Sequence, residues 1–127
     1  MNKFIPLHDL EVYQLARDLS RLAWKVFEQL GWEDKKVMGF QFVESADSIG
    51  ANIAEGYGRF QYLDRIKFFY NSRGSYNEFR IHWLELFLER KKISQVEFDD
   101  ISQICDKFQI KLNNFISSFN HRTTFFS

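Results

Sequence analysis

The stretch QFVESADSIGANIAEGYG, residues 41–58, decides the fold. Phe42, Ala46, Ile49 and Ile53 step by three and four, the spacing of one face of an α-helix. Beside that stripe runs a polar row, Gln41, Ser45, Ser48, Asn52 and Glu55, rotated by less than a right angle. Gly56, Tyr57 and Gly58 then stop the segment, so the spacing predicts a helix over residues 33–55.

Upstream, Val12, Leu15, Ala16, Leu19, Leu22, Ala23, Val26, Phe27 and Leu30 repeat the pattern over residues 9–30. Asp9 is placed to cap its first turn, and Gly31 to end it in the left-handed region. Downstream, residues 62–91 are apolar over a wide arc. Ile66, Phe69, Tyr76 and Trp83 lie along one side, and Phe68, Phe79 and Leu86 lie next to it. Tyr70, Ile81, Leu84 and Leu88 cover much of the rest. A helix with so broad an apolar surface is buried on more than one side. The fourth segment opens with Ser94-Gln95-Val96-Glu97, a capping box, and carries Phe98, Ile101, Cys105, Phe108, Leu112, Phe115 and Phe119 at helical spacing over residues 95–119. His121 to Ser127 shows no periodicity and reads as a frayed tail.

Four amphipathic helices with short connections bury their stripes as one antiparallel up-down four-helix bundle spanning residues 1–127. A single proline and six glycines leave too little turn chemistry for an all-β fold. Aromatic residues make up 18 % of the chain, fifteen of them Phe, more than one small core absorbs. The excess on the third helix predicts an oligomer, since a monomer would expose it to water. No apolar run is long enough to span a membrane, and Met1–Leu10 lacks the apolar core of a signal peptide. The single cysteine excludes an internal disulfide and suits a reducing cytoplasm.

The search for chemistry ends quickly. His8, His82 and His121 share no metal-ligand spacing, and the Glu-x-x-His pairs of di-iron bundles are missing. Cys105 falls on the apolar stripe of its helix and reads as a small core residue. Gly56-Tyr57-Gly58 lacks the lysine and spacing of a phosphate loop. No catalytic residue, metal site or cofactor site is expected. Ser48, Asn52 and Glu55 on the second helix, and Arg73, Gly74, Ser75 and Glu78 on the third, form two small polar patches. Their expected role is a buried hydrogen-bond network that fixes helix pairing; a ligand pocket and a subunit contact are the alternatives.

Seventeen basic residues balance seventeen acidic ones, so no global field attracts nucleic acid. The balance is local: residues 31–58 hold two basic and five acidic groups, residues 59–92 eight basic and four acidic. Arg59, Arg65 and Lys67 gather at one end of the third helix, Arg90, Lys91 and Lys92 at the other. These six are the candidate nucleic-acid contacts, and the second trio also suits the negative end of a helix dipole.

Ser48-Ile49-Gly50-Ala51-Asn52-Ile53-Ala54-Glu55-Gly56-Tyr57-Gly58-Arg59, with Gly74-Ser75-x-x-Glu78 after it and Leu10-x-Val12-Tyr13-x-Leu15-Ala16 before, resembles the signature of the four-helix-bundle proteins encoded in bacterial 23S rRNA intervening sequences. The resemblance covers nearly the whole chain. It implies a homopentameric ring, and through a related branch, the accessory variability determinant of diversity-generating retroelements, contacts with nucleic acid and a protein partner. Val43 and Glu44 stand where that family often has arginine, and Asp47 adds an acid, which implies a less basic surface. Two roles follow: an RNA, DNA or ribonucleoprotein accessory with weak binding, or a protein-binding scaffold.

Overall fold

The computed structural model describes residues 5–126, with side chains through residue 119. After a single 3-10 turn at Leu7–Asp9, the chain forms four helices: α1, Glu11–Gln29; α2, residues 32–57; α3, residues 62–89; and α4, Gln95–Phe126. Each packs on the next in the order of the chain, and α1 closes the circle against α4. Connections of two to five residues force neighbours to run antiparallel. The most extensive seam is between α2 and α3.

Periodicity becomes packing directly. Val12, Ala16, Leu19, Ala23 and Val26 of α1, Phe42, Ala46, Ile49 and Ile53 of α2, and Ile101, Cys105, Phe108, Leu112 and Ile116 of α4 make one continuous core. Five fully buried Phe side chains, Phe42, Phe69, Phe79, Phe87 and Phe108, supply its largest pieces. The capping box forms as expected: the Ser94 amide donates to Glu97 Oε1 at 2.9 Å and the Glu97 amide to Ser94 Oγ at 3.1 Å.

Three helix ends depart from the sequence reading. Asp9 does not cap α1. Pro6 starts a tight turn whose 2.9 Å hydrogen bond uses the Asp9 amide, and Leu10, in extended backbone, precedes the helix. Gly31 is not left-handed (φ −68°, ψ 165°), because the connection drops Leu30 into the core through extended backbone. Gly56 does not stop α2 but lies buried within it. There a Cβ would come within 2.8 Å of Phe69 Cε1 and 2.9 Å of Phe68 Cβ, so glycine serves close approach between α2 and α3. The α4 backbone continues to Phe126, past the expected end at residue 119, since no proline or glycine interrupts it. Ser127 and the side chains of the His121–Ser127 tail lie outside the described residues.

Helix α3 contains the largest surprise. Its buried positions are Phe69, Ser72, Tyr76, Phe79, Leu84 and Phe87, with a step of five between Phe79 and Leu84. That step is a π-helical turn, Glu78–Leu84, in an otherwise α-helical rod. Trp83 Nε1 donates to Glu78 Oε2, five residues back, at 3.0 Å, and so bridges the widened turn. The turn rotates Trp83 partly outward and brings Leu84 into the core, reversing the expected order.

Candidate nucleic-acid interface

The six candidate cations sit at opposite ends of α3, and local structure claims most of them. Arg59 Nη2 pairs with Glu55 Oε1 at 2.9 Å, and its guanidinium lies 4.9 Å from the Phe68 ring centre. Arg65 donates from Nε to the Arg59 carbonyl and covers the Phe119 ring, tying the α2–α3 turn to α4. At the other end Lys92 Nζ pairs with Asp34 Oδ2 at 2.7 Å, and Arg90 Nη1 reaches Met38 Sδ at 3.4 Å. Lys91 closes α3 at φ 59°, the left-handed position usually given to glycine. Its own amide bonds the Leu88 carbonyl at 3.0 Å, and the next amide, of Lys92, returns to the Phe87 carbonyl at 2.8 Å. Lys67 and Lys91 are exposed and, among the described residues, form no ion pair. Lys67 apart, the two trios therefore act first in holding the ends of α3.

The polar row also resolves differently from the expectation. Asn52 Nδ2 donates to the Ser48 carbonyl of its own helix at 2.9 Å, Glu55 is held by Arg59, and Glu78 by Trp83. Ser75 is partly buried on α3. The hydrogen bond that does cross the α2–α3 seam comes from Ser72, whose buried Oγ donates to the Ile49 carbonyl at 2.8 Å. Glycine at position 56 lets α2 and α3 approach closely, whereas Gly50 faces Ala16 and Tyr13 of α1.

A second cluster joins α3 to α4. The Tyr76 hydroxyl accepts from Arg80 Nη1 at 2.7 Å and lies 3.1 Å from both the Cys105 carbonyl and Gln109 Oε1. Arg80 Nη2 also pairs with Asp106 Oδ1 at 2.7 Å. Burial pushes the Tyr76 phenol up, against the opposing pull of Arg80. For Arg80, burial works against the charge, but hydrogen bonds to Tyr76 and Asp106 outweigh it and raise the group. Sequence spacing held a faint signal for this cluster, since 76 and 80, and 105 and 109, are each one helical turn apart.

Burial also pushes the Cys105 thiol up to about 12, with Arg80 opposing and Asp106 reinforcing. The thiol should not react with an aromatic disulfide reagent at neutral pH until denaturant is added. Stoichiometric release of the coloured thiolate from native protein within minutes would contradict the buried placement. Among the described residues no group of three or more His, Cys, Asp or Glu side chains is arranged to hold a metal ion. No helix there is long and apolar enough to cross a membrane.

One broad groove opens between α1 and α2, lined by Trp24, Phe27, Phe40, Val43, Glu44 and Asp47. Trp24 stacks on Phe27 with ring centres 5.1 Å apart, yet stays 50 % exposed, and Phe40 is 52 % exposed. Asp47 is held at its edge by Ser20. The model of the 23S rRNA-intervening sequence protein family matches residues 8–114. The chain belongs to that family. The chain is also similar to a solved structure from Bacteroides thetaiotaomicron, described as a protein of unknown function from the S23 ribosomal protein family. The two are 25 % identical, with a TM-score of 0.76 over 84 % of this chain and 95 % of that one. Among curated proteins there is no match.

Proposed function

We propose that this protein does no chemistry of its own and works in the cytoplasm as a homo-oligomer, a pentameric ring, whose repeated surface makes weak contacts with RNA or DNA. One observation carries the reading: two separate exposed apolar faces, the first of them edged by acids. The first is the α1–α2 groove, where Trp24 and Phe40 lie beside Glu44 and Asp47. The second is the outward line of α3 and the turn before it, where Phe60 (92 % exposed), Leu63 (75 %) and Ile81 accompany Asp64 and Lys67. A contact between two different faces is head-to-tail, the type that forms a ring when its rotation closes. Exposed surface of this kind is rare on a protein that stays single.

Nucleic-acid contacts are few per chain. Arg59 and Lys92 are already paired with carboxylates, so few phosphate contacts are free per chain, and a ring gains them only by repetition. Light scattering on a sizing column should give five times the 15.3 kDa chain mass. Trp24→Glu with Phe40→Glu should release helical monomers. Labelled RNA should co-elute at low salt and separate near physiological ionic strength, less of it after Arg59, Arg65 and Lys67 are changed to Gln. A wild-type monomer would overturn the ring. An oligomer that ignores RNA even at low salt would leave the scaffold reading, which the acids of the groove favour.

A further inference from the structure

Between α3 and α4 lies a polar cleft of about 480 Å³, lined by Arg73, Asn77, Gln109, Asn113 and Ser117 over a floor of Tyr76 and Leu112. Its lining includes one cation and no acid. Arg73 is partly buried, and among the described residues it makes no ion pair. With no carboxylate beside it, that guanidinium is left to meet an anion in the cleft.

Hydrogen bonding on the protein side decides what the cleft can offer a ligand. Arg73 Nη2 donates to Asn113 Oδ1 at 2.7 Å, and its guanidinium lies 5.2 Å from the Tyr70 ring centre. A guanidinium cannot accept, so Asn113 must turn its oxygen inward and keep its NH2 for the cleft. Gln109 is turned in the same sense, because Oε1 faces the Tyr76 hydroxyl at 3.1 Å and Arg80 Nη1 at 3.5 Å. Both carboxamide oxygens are thus consumed by protein donors. What remains is led by N–H groups, those of Arg73 not spent on Asn113 and the NH2 groups of Gln109 and Asn113, beside the Asn77 amide and the Ser117 hydroxyl, which can donate as well as accept. The nearest acid, Asp106, is engaged by Arg80. A pocket that is mainly a donor, carries one positive charge and falls within the size range of small-molecule sites suits a tetrahedral oxyanion.

We infer that the α3–α4 cleft is a phosphate-binding site, with Arg73 as its charged contact and Gln109 and Asn113 as its amide donors. The site stands apart from both end clusters and does not rest on the ring. Its shared chemistry, a phosphate group, has two sources: a free nucleotide or other phosphate monoester, and the backbone of a nucleic acid.

Side-chain amide and arginine Nε–H resonances of the full chain give a direct readout. Titration with sodium phosphate should move the Arg73, Gln109 and Asn113 signals along saturating curves, while sodium chloride at equal ionic strength should not. Asn113→Asp gives Arg73 its own carboxylate in the same shape. It should weaken phosphate binding by about tenfold or more, the loss of one charge-assisted contact, with the melting curve retained. Arg73→Gln provides a second variant with the same expected loss. Adenosine monophosphate and a short single-stranded RNA separate the sources: whichever saturates the three signals at lower concentration identifies the natural form, and either supports the site. Shifts that are equal for chloride and phosphate, or full affinity in Asn113→Asp, would overturn it.

Discussion

Replacing Phe42 by alanine should cost about 3–5 kcal/mol, the range for emptying a fully packed aromatic site. Phe42 is wholly buried on α2, with the Phe87 ring stacked 4.1 Å away and the Phe79 ring at 5.0 Å. Both neighbours belong to α3, Phe79 within its π-helical turn and Phe87 just beyond it, so a cavity here loosens the largest seam at the irregularity. Phe40, two residues earlier and 52 % exposed, should lose less than half as much on the same change in a monomeric background, since much of its surface already meets water. Urea unfolding of both variants decides the matter. Near-equal losses would mean that the Phe42–Phe79–Phe87 stack is not the centre of the core.

Gly56→Ala should destabilise the bundle by about 1–3 kcal/mol despite improving helix propensity, because overpacking outweighs it. The added methyl would meet Phe69 Cε1 at 2.8 Å and Phe68 Cβ at 2.9 Å, and the second contact lies too near the α3 backbone for a rotamer change to relieve. Gly74→Ala supplies the opposite sign. It sits inside α3 with nothing within 4 Å of its would-be Cβ, and should gain about 0.5–1 kcal/mol in a monomeric background. Melting temperatures that rank the two in the other order would refute the close approach at residue 56.

Architecture was legible in the sequence because burial follows period. The stripes on α1, α2 and α4 reappear almost unchanged in the core, as does the capping box at Ser94. Helix ends were less legible. Asp9 and Gly31 belong to the right residue types for caps, but Pro6 and the buried Leu30 impose other local geometry. The polar row misled for a different reason: Asn52 and Glu55 find partners within reach on their own segment, whereas Ser72, too small to stand out in a sequence, makes the bond across the seam. For the charged candidates, residue type identified cations but could not say that Glu55 and Asp34 would occupy Arg59 and Lys92. The Arg73 cleft depends on which way two carboxamides turn, and that orientation has no trace in spacing.

The step of five between Phe79 and Leu84 bears on how relatives of this chain are to be compared. On both sides of it α3 meets the bundle in ordinary register, so the widened turn absorbs one residue without moving either half across the core. A relative with a plain α-helix here would be one residue shorter and present the same inward face. Aligning such a relative without a gap inside the helix would set Trp83 opposite the counterpart of Leu84 and shift every following position by one. Inferences about the residues of α4, those of the Tyr76–Gln109 cluster included, would inherit that error.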